Sequence, residues 1–98
     1  MATFISTLKF TAQGTKNLQQ SPERAEKFML AAQAQGIKVL GLYWTFGSFD
    51  GAIVFEAPDE TVAAAAMFAL AAEGNVQTST SRAFDRVEIQ KVLGSMPK

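Results

Sequence analysis

Apolar and polar residues alternate along residues 3–10, and two mainly apolar runs and a polar run rich in threonine and serine follow later in the chain. Between these stretches apolar residues recur three or four positions apart. Alternation with a period of two is typical of a half-buried strand, and the longer spacing is typical of an amphipathic helix. The alternation predicts a strand over residues 3–10, the two apolar runs on either side of a turn predict strands over 37–45 and 51–57, and the last strand is predicted over 76–84. The helical spacing predicts helices over residues 22–35 and 59–73, and a short terminal helix over residues 86–93.

Residues that cap helices mark where the predicted helices begin. Ser21, which precedes a proline, is predicted as the N-cap of the first helix. Residues 58–60 begin the second helix with a similar Pro-Asp-Glu sequence. Asp85 and Glu88 have the spacing of a capping box, in which each side chain bonds the backbone N–H of the other residue.

Glycines mark where the two long helices end. Gly36 and Gly74 each follow a helical pattern, and glycine suits the left-handed conformation that commonly ends a helix. The polar residues 11–20, which include Gly14, are predicted to form a loop.

The predicted order is strand, helix, strand, strand, helix, strand, and the two halves share one plan. Two such units with right-handed crossovers form a ferredoxin-like fold. We therefore expect one α+β domain over residues 1–98, built on an antiparallel four-stranded sheet in the order fourth, first, third, second. Both long helices are expected to cover one face of this sheet.

Apolar residues on both faces of the middle strands predict that the open face of the sheet is covered as well. Alternation divides the second strand into Ile37, Val39 and Tyr43 on one face and Leu40, Leu42 and Trp44 on the other. The third strand divides into Gly51, Ile53 and Phe55 and into Ala52, Val54 and Glu56. A sheet with one face in water would alternate cleanly instead. We expect a second copy of the chain to cover the open face, in a homodimer or a higher oligomer.

The composition excludes several kinds of chemistry. The chain has no cysteine and no histidine. It therefore has no disulfide, no metal site built on those ligands, and no Ser-His-Asp or cysteine-based catalytic site. The acidic residues are scattered, and no phosphate-binding glycine loop is present. We expect no metal and no cofactor.

Charge and hydropathy limit the classes of partner. Nine basic and nine acidic residues give zero formal net charge, without the basic stripe that binds nucleic acids. The longest apolar runs are far shorter than the ~20 residues of a membrane helix. The N-terminal residues lack the features of a signal peptide. We expect a soluble, cytoplasmic protein that binds neither nucleic acid nor membrane.

Residues 43–51 gather the only tryptophan and the only tyrosine beside a lone carboxylate. Asp50 serves there either as a general base or as a cap for backbone N–H groups. Tyr43 and Trp44 either line a small pocket or anchor packing. Arg82, in the last strand, either binds an anionic group or forms a salt bridge. These four are the candidate ligand-binding residues, and no residue is assigned a catalytic role.

Strand parity adds an expectation about where these residues meet. Alternation places Thr78 and Arg82 on one face of the last strand. We expect this to be the open face, shared with Thr7 and Lys9 of the first strand. Asp50 and Arg82 would then lie near the same end of the sheet.

Three separated segments resemble the GYD-domain family. They are residues 46–51 with the following 54–59, residues 74–78, and residues 82–84. The family is named for a Gly-Tyr-Asp signature, and the matching turn here consists of Gly47, Ser48, Phe49 and Asp50. Phenylalanine stands where the family has tyrosine, so the ring of Phe49 is expected to act in packing and not through a hydroxyl.

The resemblance covers nearly the whole chain and implies a fold and an assembly, not an activity. The family consists of small bacterial and archaeal proteins of unknown function, and its members resemble dimeric α/β barrels. That assembly agrees with the pairing expected from the apolar sheet face. No catalytic residues are established for the family, so none is implied here.

Two hypotheses about function remain open. The first is a soluble homodimeric domain that binds a small organic molecule or serves as an assembly module. The alternative is a cofactor-independent enzyme, such as a small monooxygenase or an isomerase, with a site between the sheet and the helices. In that enzyme Asp50 would be the base and Arg82 would hold an anionic group. The sequence does not decide whether the chain is an enzyme.

Overall fold

The chain forms four strands and four helices in a computed structural model that describes residues Met1–Lys98. The strands are β1 (Ala2–Phe10), β2 (Lys38–Trp44), β3 (Gly51–Ala57) and β4 (Val76–Ala83). The helices are α1 (Ala12–Lys16), α2 (Ser21–Ala34), α3 (Glu60–Ala72) and α4 (Arg86–Gly94), and a 3₁₀ turn spans Leu18–Gln20. None of these helices has the length and hydropathy needed to cross a membrane.

The four strands form one sheet in the order β2-β3-β1-β4, and every neighbouring pair is antiparallel. β1 therefore lies inside the sheet, with β3 along one side and β4 along the other. Phe4 of β1 is paired with Phe55 of β3 and with Arg82 of β4. The prediction of an α+β domain with a four-stranded antiparallel sheet is confirmed.

The hydrophobic core lies between one face of the sheet and the two long helices, α2 and α3. Phe4, Ile53 and Phe55 supply the sheet side, and the rings of Phe4 and Phe55 stack with their centres 5.5 Å apart. The buried residues of the two helices are mostly small: Ala32, Ala63, Ala66 and Met67. Small side chains let both helices lie close to the sheet.

A register shift in β2 changes which of its side chains reach the core. The pairs on either side of the shift are Val39 with Phe55 and Gly41 with Val54. Leu40 is thus the extra residue of a β-bulge. Beyond it, Leu42 and Trp44 share the core-facing side with Val39, while Tyr43 lies on the open side. The predicted grouping of Trp44 with Leu40 is wrong, because one inserted residue reverses the alternation.

The fourth strand faces the opposite way from the prediction. Its residues Val76, Thr78, Thr80 and Arg82 pair with Phe10, Leu8, Ser6 and Phe4, in that order. Because Phe4 is part of the core, Arg82 and Thr78 lie on the core-facing side and not with Thr7 and Lys9. β4 is an edge strand with polar residues on both faces, so alternation alone does not fix its orientation.

Residues 11–20, predicted as a loop, form α1 and the 3₁₀ turn instead. The side chain of Thr11 accepts a hydrogen bond from the N–H of Gly14 and so caps α1. The same hydroxyl donates to the carbonyl of Gly74, 2.6 Å away, and Gln13 donates across the same junction. A helix of five residues is too short for helical periodicity to be recognised in the sequence. Long-range hydrogen bonds to residues 73–75 hold it next to the segment before β4.

Most of the predicted helix boundaries are confirmed. Asp59 caps α3 by accepting from the N–H three residues later. Asp85 and Glu88 form both bonds of the predicted capping box at the start of α4. Gly36 and Gly74 have φ angles of 81° and 85°, as left-handed helix ends require.

Arg82 and Glu88 connect α4 to the sheet. Nη2 of Arg82 lies 2.8 Å from Oε2 of Glu88, in the one salt bridge of the chain. The guanidinium group also lies 4.7 Å from the centre of the Phe84 ring, a cation–π distance. The apolar side chains of Val87 and Leu93 remain 63% and 56% exposed, so α4 leaves part of its apolar surface uncovered.

A Gly14→Ala substitution is expected to destabilise the fold by about 1–3 kcal/mol, the range of an overpacked core position. A β-carbon at Gly14 would overlap the backbone carbonyl oxygen of Asn75, and backbone yields less readily than a side chain. Urea unfolding measures the change. Gly94→Ala is the control, since nothing lies within 4 Å of that position. Equal stabilities of the two variants would contradict the close approach of α1 to Asn75, the residue before β4.

The pKa of the Glu88 carboxyl is expected to lie below its ordinary value of 4.5, first because of the hydrogen bond from Arg82 and then because of the N–H of Asp85. A pKa lowered on folding means that the pair stabilises the fold above pH 4.5, and that this stabilisation is lost as the pH falls through the lower, folded value. Carbon-13 NMR titration measures the pKa directly.

Arg82→Gln is expected to raise the Glu88 pKa towards 4.5, while Arg86→Gln, on α4 but outside the salt bridge, leaves it unchanged. A wild-type pKa of 4.5 or above for Glu88 would contradict the pairing.

Candidate functional site

A partly open cavity of about 70 Å³ lies between the sheet and the helices, at the end of the core away from Phe4. Its apolar wall includes Leu8, Phe10, Phe28, Leu42, Ile53 and Leu70. Gly51, which pairs with Leu8 on β1 and Trp44 on β2, also lines this cavity. The core is therefore packed at one end and open at the other.

A surface groove adjoins this cavity. Phe10, Ser21, Trp44 and Asp50 line both spaces and so stand at the boundary between them, which we call the mouth. The groove runs past the 3₁₀ turn, the start of α2 and the fully exposed ring of Phe46. Ligand pockets are commonly ~300–1,000 Å³. A ligand would therefore place one small group in the cavity and extend into the groove.

Trp44 is held at the mouth by Ser21. The indole Nε1–H donates to Oγ of Ser21 at 3.0 Å. Ser21 was predicted to cap α2, but Gln20 occupies the N-cap position and makes no side-chain bond there. The hydroxyl of Ser21 is buried and accepts from the indole instead, because a buried polar group needs a partner.

Asp50 joins the turn after β2 to the end of β1. Its Oδ2 accepts from the backbone N–H of Phe10 at 2.8 Å, and its own N–H donates to the carbonyl of Leu8 at 2.7 Å. The turn itself is closed by Thr45, whose hydroxyl donates to the carbonyl of Phe49 at 2.7 Å. Asp50 thus bonds a backbone amide on a neighbouring strand, and its Oδ1 makes no hydrogen bond within the chain.

The other residues of the signature turn shape it without entering the cavity. Gly47 has a φ of 153°, a conformation that favours glycine. Ser48 is exposed, and Phe49 is half-buried. Tyr43 lies on the open face of the sheet, 60% exposed, with its ring over Gly41. Among the aromatic residues of the segment, the cavity therefore takes Trp44 and not Tyr43.

Arg82 lies at the opposite end of the sheet from Asp50. Arg82 is paired with Phe4, whereas Asp50 bonds the N–H of Phe10, six residues further along β1. Six residues of a strand span ~20 Å. The expectation that Asp50 and Arg82 lie near the same end is wrong, because β1 separates the two by almost its full length.

Arg24 is a cavity residue that the sequence analysis did not identify. Its Nη1 donates to the carbonyl of Asn17 at 2.7 Å, while its Nη2 is buried without a partner. Arg24 follows Ser21 by three residues and precedes Phe28 by four, so all three share one side of α2. The sequence signal that could have identified Arg24 is its position on the same side of the helix as Ser21 and Phe28.

The charged groups of the cavity wall are one cation and two carboxylates, from Arg24, Asp50 and Glu73. No three acidic side chains come close enough together to hold a metal ion. The surface that the wall presents to the cavity is thus mostly apolar, with a small polar share. That combination orients a bound molecule by a small number of hydrogen bonds.

Comparison with known proteins gives one result. The model of the GYD-domain family matches residues 4–93, nearly the whole chain. No curated protein and no solved structure matches. The match includes the signature turn, the cavity residues Arg24 and Trp44, and all four strands for most of their length. The chain therefore belongs to the GYD-domain family.

Proposed function

We propose that this domain binds a compact organic molecule, with one apolar group in the cavity and the remainder in the outer groove. The observation that carries the proposal is the unfilled apolar cavity whose mouth is formed by Trp44 and Asp50, beside the turn that gives the family its name. Binding sites are commonly apolar spaces with a few convergent polar groups, and this cavity has that composition.

Binding has more support than the enzymatic alternative. The enzyme hypothesis needed Asp50 as a base and Arg82 as the holder of an anionic group on one small substrate. The two residues are ~20 Å apart along β1. Arg82 is also engaged by Glu88, and Asp50 accepts from the N–H of Phe10.

We further propose that the domain is a homodimer of the α/β-barrel type. The observed order β2-β3-β1-β4 is the ferredoxin-like order counted from the other edge. Both long helices lie on one face, and the other face carries Ile5 beside Val54, with Tyr43 nearby. Ile5 is 42% exposed and Tyr43 60% exposed in the single chain. With zero net charge, two copies have little repulsion to overcome.

Ethylbenzene is expected to shift the indole N–H resonance of Trp44, which is easily identified because the chain has one tryptophan. Ala25→Leu, which places a larger side chain in the cavity wall, is expected to weaken this binding about tenfold. Ala34→Leu, at an exposed position of the same helix, leaves it unchanged. Nitrogen-15 NMR titration is the measurement. No shift in wild type, or equal binding by both variants, would count against the cavity.

Light scattering over a wide concentration range is expected to give the mass of a dimer. Ile5→Glu places a charge in the centre of the open face and is expected to yield monomers. Leu30→Glu, at a residue of α2 that is 61% exposed, keeps the dimer. Circular dichroism verifies that both variants fold. A monomeric wild type would show that the open face does not pair with itself.

A further inference from the structure

We infer that the molecule bound at this cavity carries an ammonium group, which donates a hydrogen bond to Oδ1 of Asp50 at the mouth while an apolar part occupies the cavity. The inference rests on the proposed binding function and names the class of molecule that the site selects. It starts from the hydrogen bonding of the one carboxylate that lines both the cavity and the groove.

The carboxylate of Asp50 has one engaged oxygen and one free oxygen. Oδ2 accepts from the N–H of Phe10 at 2.8 Å, whereas Oδ1 makes no hydrogen bond within the chain. The one buried side-chain nitrogen or oxygen without a partner belongs to Arg24, so the unpaired Oδ1 of Asp50 is accessible. A carboxylate oxygen accepts hydrogen bonds and donates none. The group that it takes from a ligand is therefore a donor.

The backbone of β1 holds this free oxygen in place. The N–H of Asp50 donates to the carbonyl of Leu8 at 2.7 Å, and the side chain of Asp50 accepts from Phe10, so β1 fixes both. Ion pairs on a protein surface usually contribute little, partly because two mobile side chains have to be ordered. Here the carboxylate is already ordered, and less conformational freedom is lost when a ligand binds.

The charge of the groove selects a cation. Asp50 is the one charged residue in the groove lining. In the cavity wall, Arg24 and Glu73 add one charge of each sign. Nη2 of Arg24 is buried, and Nη1 already donates to the carbonyl of Asn17. Within the groove a ligand thus meets a carboxylate and no cation, an arrangement that attracts an ammonium group and repels a carboxylate or a phosphate.

Aromatic rings beside Asp50 favour an ammonium group over a neutral donor. Phe10, Trp44 and Phe46 line the groove together with this carboxylate. Positive groups are attracted to the faces of aromatic rings, and tryptophan attracts them most strongly. The indole is kept at the mouth by its hydrogen bond to Ser21. A hydroxyl or amide group on a ligand would gain the hydrogen bond to Oδ1 but neither the charge attraction nor the attraction to the rings.

The size of the cavity limits the apolar part of the ligand. The cavity of about 70 Å³ has room for about five water molecules, the space of one small ring, at ~10–15 Å³ for each. Phe28, Leu42 and Ile53 give it an apolar wall. The ammonium group stays at the mouth, where water still reaches it, and so avoids the full cost of burying an ion. A benzene ring joined to an amine by one carbon is a suitable probe.

Four probes of similar size separate the contributions: ethylbenzene, benzyl alcohol, benzylamine and benzoate. The first three differ only in the group on the benzyl carbon, which is a methyl, hydroxyl or ammonium group at neutral pH, and benzoate is an anion. Nitrogen-15 NMR titration of the Trp44 indole resonance measures each affinity. We expect benzylamine to bind roughly tenfold more tightly than ethylbenzene, as one hydrogen bond between charged groups contributes. We expect benzyl alcohol to lie between them and benzoate to bind more weakly than benzylamine.

Three variants test whether Asp50 makes the distinction. Asp50→Asn keeps an oxygen for the N–H of Phe10, so its amide nitrogen takes the place of Oδ1 and offers a donor instead of an acceptor. The preference for benzylamine over ethylbenzene should then disappear while ethylbenzene still binds. Glu26→Gln, which removes the same charge from an exposed position of α2, should keep the preference. Glu73→Gln, which removes the other carboxylate of the cavity wall, should keep it too.

Each outcome has a distinct meaning. Equal affinity of wild type for benzylamine and ethylbenzene overturns the inference and leaves the proposed cavity function in place, even if a variant folds poorly. Binding of benzyl alcohol as tightly as benzylamine overturns the choice of a cation, and tighter binding of benzoate indicates an anion site instead. A preference for benzylamine that survives Asp50→Asn overturns the assignment to Asp50. Absence of binding by all four probes contradicts the proposed function itself.

Discussion

The position of β1 inside the sheet is the constraint on which the rest of this structure depends. β1 is hydrogen-bonded to β3 on one side and to β4 on the other. Its register therefore determines which side chains of these two strands lie beside one another over the core. Phe4, at one end, stacks on Phe55 and fills the space under the helices. Towards the other end, Leu8 lies opposite Gly51, which has no side chain to match it. Leu8 and Gly51 both line the cavity at that end.

The elements of the fold were predictable because their signals are local. Alternation defined the strands, and capping residues such as Asp59 and Asp85 defined the starts of α3 and α4. The orientation of β4 was not predictable, since both of its faces are polar and only its hydrogen bonds to β1 select one. The bulge at Leu40 was hidden for a similar reason, because apolar residues occupy both faces of β2 and an inserted residue leaves no gap in the pattern.

The candidate site was predictable in part. Trp44 and Asp50 stood out through the unusual composition of their turn, and both reach the mouth of the cavity. Tyr43 and Arg82 were assigned by parity and by an assumed register, and the bulge and the edge strand place them elsewhere. Arg24 went unnoticed because a charged residue near a helix start is ordinarily solvated. Its burial depends on how α2 packs on the sheet, which no local pattern records.

The hydrogen bond between Trp44 and Ser21 has a consequence for how fast the cavity exchanges its contents. The indole belongs to an edge strand and the hydroxyl to the first turn of α2, and one hydrogen bond connects them across the mouth. We expect movement of the Trp44 ring at this boundary to need only the breaking of that bond, with every strand pairing kept. A contact of this kind is expected to open on the time scale of side-chain rearrangement, which is shorter than that of domain or lid motion. Molecules would then be admitted and released without any partial unfolding of the core.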